Sequence, residues 1–142
     1  MQRVAPFRRD PLQAGRKRLL KVLVVDDEEE FLLTLTQRLR LRGIETQTAL
    51  DGEEGLRLLE MDQPDVVILD VLMPGLGGLE VLQRIKLLEP GVPVILLTGK
   101  GTSKEGIEGM RLGAFDYLMK PVDVDELIQK IREAIMPHNV SF

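Results

Sequence analysis

The chain has 142 residues, 44% of them apolar, and a formal net charge of −4. That is enough apolar sequence for one packed domain and too much for a disordered chain. It has no cysteine and one histidine, His138, so disulfides, thiolate sites and multi-histidine metal sites are excluded.

The net charge hides an asymmetry. Residues 1–21 hold seven basic groups against the single acid Asp10, a surplus of +6, so residues 22–142 carry −10. The acidic body is a poor nucleic-acid binder. Residues 1–20, with Pro6, Pro11 and Gly15, read as a flexible basic arm, a solvated leader or linker; contact with an anionic partner is the alternative. No apolar run approaches the roughly 20 residues of a spanning helix, so no membrane association is expected. Leu19–Val25 is interrupted by Lys21 and followed by five acids, which makes a poor secretory signal.

From residue 21 the pattern alternates strand and helix. Lys21–Val25 is a β-branched apolar run that predicts a buried strand, ending against Asp26 and Asp27. Glu28–Arg42 predicts a helix, with Phe31, Leu35 and Leu39 forming a stripe that Leu32 widens. Acids fill its first turn and arginines its last, and Gly43 suits a left-handed end. Glu45–Ala49 alternates as a short edge strand should. Asp51 opens a second helix, with Glu54 placed for a capping box. Asp65–Leu69 is apolar enough to be covered on both faces, and Asp70 follows it. The glycines and proline of Met73–Gly78 mark a loop before a third helix over Leu79–Leu88.

Pro90-Gly91 turns the chain into a fourth strand, Pro93–Leu97, which runs into Thr98. A weaker helix over Lys104–Leu112 contains Gly106 and Gly109, each costing about 1 kcal/mol relative to alanine. It is therefore expected to be the least rigid helix, with Gly113 as its stop. Phe115–Met119 predicts the fifth strand and runs into Lys120-Pro121. Asp123 and Glu126 form a second capping box before a helix striped by Leu127, Ile128, Ile131 and Ile135. Pro137 ends it and leaves 137–142 as a tail. Five such units over residues 21–136 predict an α/β domain: a flavodoxin-like, doubly wound parallel sheet of order 2-1-3-4-5, with helices on both faces.

In that topology every strand ends at one edge, so Asp26, Asp27, Asp70, Thr98 and Lys120 converge there. Singly, each has an ordinary explanation. Paired acids cap helices, an aspartate begins turns, and threonine and lysine are common at strand ends. Together, three carboxylates on neighbouring strands repel one another unless a cation or protons intervene. Oxygen donors alone favour Mg²⁺ or Mn²⁺. Asp70, on the central strand, is the best nucleophile for a phosphoryl group. Lys120 can pair with the phosphoryl oxygens, and Thr98 can donate to one of them.

Asp26-Asp27, Asp70 with Met73-Pro74-Gly75, Thr98-Gly99 and Lys120-Pro121 resemble, in order and spacing, the receiver domain of two-component response regulators. The resemblance covers about Lys21 to Ile135. It implies a cytoplasmic signalling domain whose Asp70 accepts a phosphoryl group from a sensor histidine kinase or phosphotransfer protein, with Mg²⁺ as cofactor. Asp27, Asp70 and the backbone carbonyl of Leu72 would bind the ion directly, and Asp26 mainly through water. Thr98 and Tyr117 would form the switch, and the Lys120–Pro121 peptide would be cis. Phosphorylation would then remodel the face of the fourth helix, fifth strand and fifth helix toward a downstream effector or a phosphorylation-dependent homodimer. Such a domain catalyses only its own modification.

Three positions depart from the common pattern. Gly77 stands where many receivers have aspartate. Leu72 cannot orient a hydrolytic water with its side chain, which implies slow self-dephosphorylation, and Lys100 could help or hinder such a water. Two other readings compete. A pseudo-receiver would act only as an interaction module, yet all the acids are present. A metal-dependent aspartyl-phosphate hydrolase of the haloacid dehalogenase kind would want an aspartate where Leu72 stands.

Overall fold

The computed structural model describes residues 19–99 and 103–136. The basic arm up to residue 18, Lys100, and the tail with Pro137 and His138 lie outside the described residues.

Five strands form one sheet: β1 (Lys21–Val25), β2 (Glu45–Ala49), β3 (Val66–Asp70), β4 (Val94–Thr98) and β5 (Asp116–Met119). Their order is β2-β1-β3-β4-β5, with every pair parallel. The returning helices are α1 (Glu29–Leu41), α2 (Gly52–Met61), α3 (Gly78–Leu88), α4 (Ser103–Arg111) and α5 (Val124–Ile135). The expected flavodoxin-like architecture is what forms.

Side-chain alternation along the strands divides the core in two. Leu23, Val25, Val67, Leu69, Val94 and Leu96 face one side and pack with Leu59, Val81, Leu82 and Ile85 from α2 and α3. Val22, Val24, Val66, Ile68, Ile95 and Leu97 face the other and pack with residues of α1 and α5, among them Leu35, Leu39, Leu127 and Ile131. β3 and β4 are buried throughout, as central parallel strands covered on both faces must be.

The ends differ from expectation in small, explicable ways. Glu28 is a cap rather than the first helical residue, and Asp70 and Thr98 are the last residues of their strands, while Asp51 is the cap that its box requires. Asp51 Oδ1 accepts from the Glu54 N–H at 2.8 Å. The Glu54 carboxylate, however, is engaged by Arg57 at 2.7 Å instead of reaching back to the cap. A charged pair one turn away outcompetes a bond to a backbone amide. Asp123 caps α5 by accepting from the N–H groups of Asp125 (2.9 Å) and Glu126 (3.3 Å). Gly43 ends α1 with φ of 80°, as expected.

The glycines of α4 have a packing reason that helix propensity does not show. A Cβ on Gly106 would sit 3.0 Å from three ring carbons of Tyr117, and one on Gly109 would collide with Leu96. Bare glycines let α4 lie directly on β4 and β5. Among the described residues, no helix is long and apolar enough to cross a membrane.

Candidate functional site

Strand register builds the site. Val25 pairs with Leu69, so Asp26 and Asp70 occupy the next level of adjacent strands at the carboxyl edge. Asp27 follows on the turn into α1. One carboxylate oxygen from each of Asp26, Asp27 and Asp70 lies within 4.8 Å of the others. Asp70 pairs with Leu97, which places Thr98 one step beyond, and the Lys120 N–H donates to the Thr98 carbonyl at 2.8 Å. The sheet therefore brings together all five residues expected at this edge.

The burial is unequal and matters for charge. Asp26 and Thr98 are fully buried, Asp70 is 5% exposed, and Asp27 faces solvent. Asp26 Oδ1 accepts the Glu28 N–H at 2.9 Å. Its Oδ2 lies 2.8 Å from the Lys120 ammonium. That is an ion pair rather than a well-directed hydrogen bond, so this buried oxygen keeps unused acceptor capacity. Asp70 Oδ1 accepts from the Leu72 N–H at 3.3 Å, and Oδ2 lies 3.8 Å from Lys120 Nζ.

Burial, then repulsion from Asp26, pushes the Asp70 carboxyl up to about 6, against the opposing pull of Lys120. Burial raises Asp26 as well, again opposed by Lys120. Burial alone would lower Lys120, but the Asp26 and Glu28 carboxylates beside it raise it, so it stays an ammonium. Two buried carboxylates and a third at the surface, beside one cation, are short of positive charge. Oxygen-only donors, closely spaced and with an unused buried lone pair, fit a hard divalent ion.

Lys120 is held more closely than its place in the sequence suggests. Besides Asp26, its ammonium donates to Glu28 Oε1 at 2.8 Å and lies 4.4 Å from the centre of the Phe31 ring. Sequence periodicity marks Phe31 only as a stripe residue and Glu28 only as a first-turn acid. The structure adds both to the site. The Lys120–Pro121 peptide is cis.

Thr98 Oγ1 donates to the Leu118 carbonyl at 3.5 Å, so its hydroxyl is turned toward β5. Tyr117 is half-buried, with its ring against Gly106. Leu72, two residues past Asp70, is 51% exposed. Gly77, the cap of α3, offers no side chain to accept a hydrogen bond.

The response regulator receiver domain family matches residues 22–132. A probable transcriptional regulator, ycf27 of Guillardia theta, is 44% identical over 119 residues, covering 84% of this chain and 46% of the relative. The transcriptional regulatory protein PrrA of Mycobacterium tuberculosis is 38% identical over 112 residues, covering 79% and 48%. The chain thus spans about half the length of the curated relatives it matches. Among solved structures, a response regulator receiver domain protein from Clostridium thermocellum superposes with a TM-score of 0.79 at 42% identity, covering 82% of this chain and 94% of that one. A CheY-like receiver domain protein from Methanospirillum hungatei gives 0.78 at 31% identity, covering 83% and 94%.

Proposed function

Because the chain belongs to the response regulator receiver domain family of two-component signalling, we propose that Asp70 is its phospho-acceptor and that the domain switches an effector. The observation that carries this reading is the meeting of Asp26, Asp27 and Asp70 within 4.8 Å beside Lys120. The receiver unit is taken as residues 21–136, with 1–20 as an arm and 137–142 as a tail.

The chemistry follows from these side chains. A phosphoryl group on the histidine of a sensor kinase or phosphotransfer protein approaches Asp70, which is aligned by the Leu72 N–H on Oδ1. An Asp70 oxygen forms the new P–O bond as the P–N bond breaks, and the electron pair returns to the imidazole nitrogen. Asp27, Asp70 and the Leu72 carbonyl would hold Mg²⁺, with Asp26 acting mainly through water. The ion would neutralise phosphoryl oxygen charge during transfer. Lys120 supplies a mobile positive charge to those oxygens. Thr98 leaves the Leu118 carbonyl to donate to one of them, and Tyr117 moves into the space released. The switch is a shift between two populations of one fold.

The altered face is that of α4, β5 and α5, presented to an effector or to a second copy. The domain acts in the cytoplasm, binds neither nucleic acid nor membrane itself, and modifies only its own Asp70. The hydrolase reading lacks its second aspartate, because Leu72 stands there with an exposed apolar side chain.

Beryllofluoride with Mg²⁺, a mimic of the aspartyl phosphate, tests the reading. Amide resonances around Thr98 and Tyr117 are expected to shift in saturable fashion, and not to shift in Asp70→Asn. An unresponsive wild-type spectrum would favour the pseudo-receiver, and steady turnover of a phosphate ester would favour the hydrolase.

A further inference from the structure

The contacts of Lys120 are one-sided. Its ammonium lies 2.8 Å from both Asp26 Oδ2 and Glu28 Oε1 and above the Phe31 ring, but 3.8 Å from Asp70 Oδ2. The three close partners all belong to α1 and the turn that leads into it from β1, so the cation is docked nearer to that side than to β3. Asp26 is fully buried and fixed by the Glu28 N–H. The Glu28 carboxylate is different: its side chain is 62% exposed and, although Glu28 is the cap residue of α1, makes no capping hydrogen bond. It is the partner that can release.

We propose that Glu28 is a positioning residue that holds the Lys120 ammonium away from Asp70 until a phosphoryl group draws it across. This rests on the reading of Asp70 as acceptor. Glu28 raises the threshold for the phosphorylated arrangement, because the ammonium must leave one carboxylate before it can serve the phosphoryl oxygens. An exposed ion pair is worth little, so the threshold is modest. Removing it corresponds to a gain of about threefold in affinity for the phosphoryl mimic. The effect is electrostatic and is expected to fade at about 1 M salt, where screening acts over about 3 Å.

The test uses the full chain as wild type, Glu28→Gln and Glu30→Gln. Glu30 is an exposed acid in the same helical turn, outside the ion pairs of Lys120, so its variant reproduces the charge change alone. Titration with beryllofluoride in excess Mg²⁺ is expected to show the threefold tighter binding in Glu28→Gln only, and less of it in high salt. In chelator-treated protein, the Lys120 ¹⁵Nζ resonance is expected to move in Glu28→Gln and to stay in Glu30→Gln. Equal affinity in the two variants, or an unmoved Lys120 resonance, would overturn the proposal. Failure of the wild type to bind beryllofluoride would instead strike the acceptor reading, and the Lys120 resonance would still decide the role of Glu28.

Discussion

Asp70→Asn is expected to make the metal-free protein more stable at pH 7, by about 3 kcal/mol. The cause is the carboxyl itself, which burial and the adjacent Asp26 charge push up to about 6 from its ordinary 3.8. Between those values the folded state binds more protons than the unfolded one. The contribution of Asp70 to stability is therefore complete below about pH 4 and is lost as pH rises through 6. Asparagine never ionises, so the gap between variant and wild type should be small near pH 4 and fully open by pH 7. For a domain of this size, 3 kcal/mol corresponds to roughly 10 °C in melting temperature. Mg²⁺ should raise the wild type and leave the variant nearly unmoved, since a ligand stabilises only the state that binds it. Thermal denaturation with chelator and with Mg²⁺, from pH 4 to 7.5, measures all of this. Equal melting temperatures at pH 7 would show that Asp70 carries no buried charge.

Gly78→Ala is expected to destabilise the fold by about 3 kcal/mol, whereas Gly77→Ala should change it by under about 1 kcal/mol. The two glycines are adjacent, but their surroundings differ. A Cβ on Gly78 would overlap the Asp70 carbonyl and lie 2.6 Å from Val71 Cα, whereas one on Gly77 meets nothing within 4 Å. Backbone on the far side of a contact cannot rotate away. The start of α3, whose Gly78 N–H donates to the Val71 carbonyl at 3.1 Å, must therefore lift off the end of β3. That movement also disturbs Asp70, so Gly78→Ala should bind Mg²⁺ more weakly even where it remains folded. Denaturant unfolding of both variants checks the contrast. Equal stabilities would mean that α3 is not seated on the acceptor strand.

Much of this was legible in the sequence for a simple reason. Apolar runs such as Val22–Val25 and Val66–Leu69 are too hydrophobic for any place but a central parallel strand. Their polar successors must then share one edge, so spacing alone gathers Asp26, Asp70, Thr98 and Lys120 there. Spacing does not say which way a long side chain turns. It placed Lys120 at the edge but could not show its preference for Glu28 and Asp26 over Asp70, nor that Phe31 lies beneath it. Helix propensity also leaves out packing. Propensity marks Gly106 and Gly109 as weak points in a helix, and only the Tyr117 ring and Leu96 packed against them show why a larger residue is excluded. The Glu54 carboxylate turned to Arg57 because both offered plausible partners and the charged one prevailed.

The most direct measurement is phosphoryl uptake from radiolabelled acetyl phosphate in the presence of Mg²⁺. The wild type should acquire one acid-stable, base-labile label per chain, lose it to hydroxylamine as an acyl phosphate does, and acquire none when a chelator is added. Asp70→Asn should stay at the level of a blank. Labelling of that variant at the wild-type rate would contradict the assignment of Asp70 as acceptor.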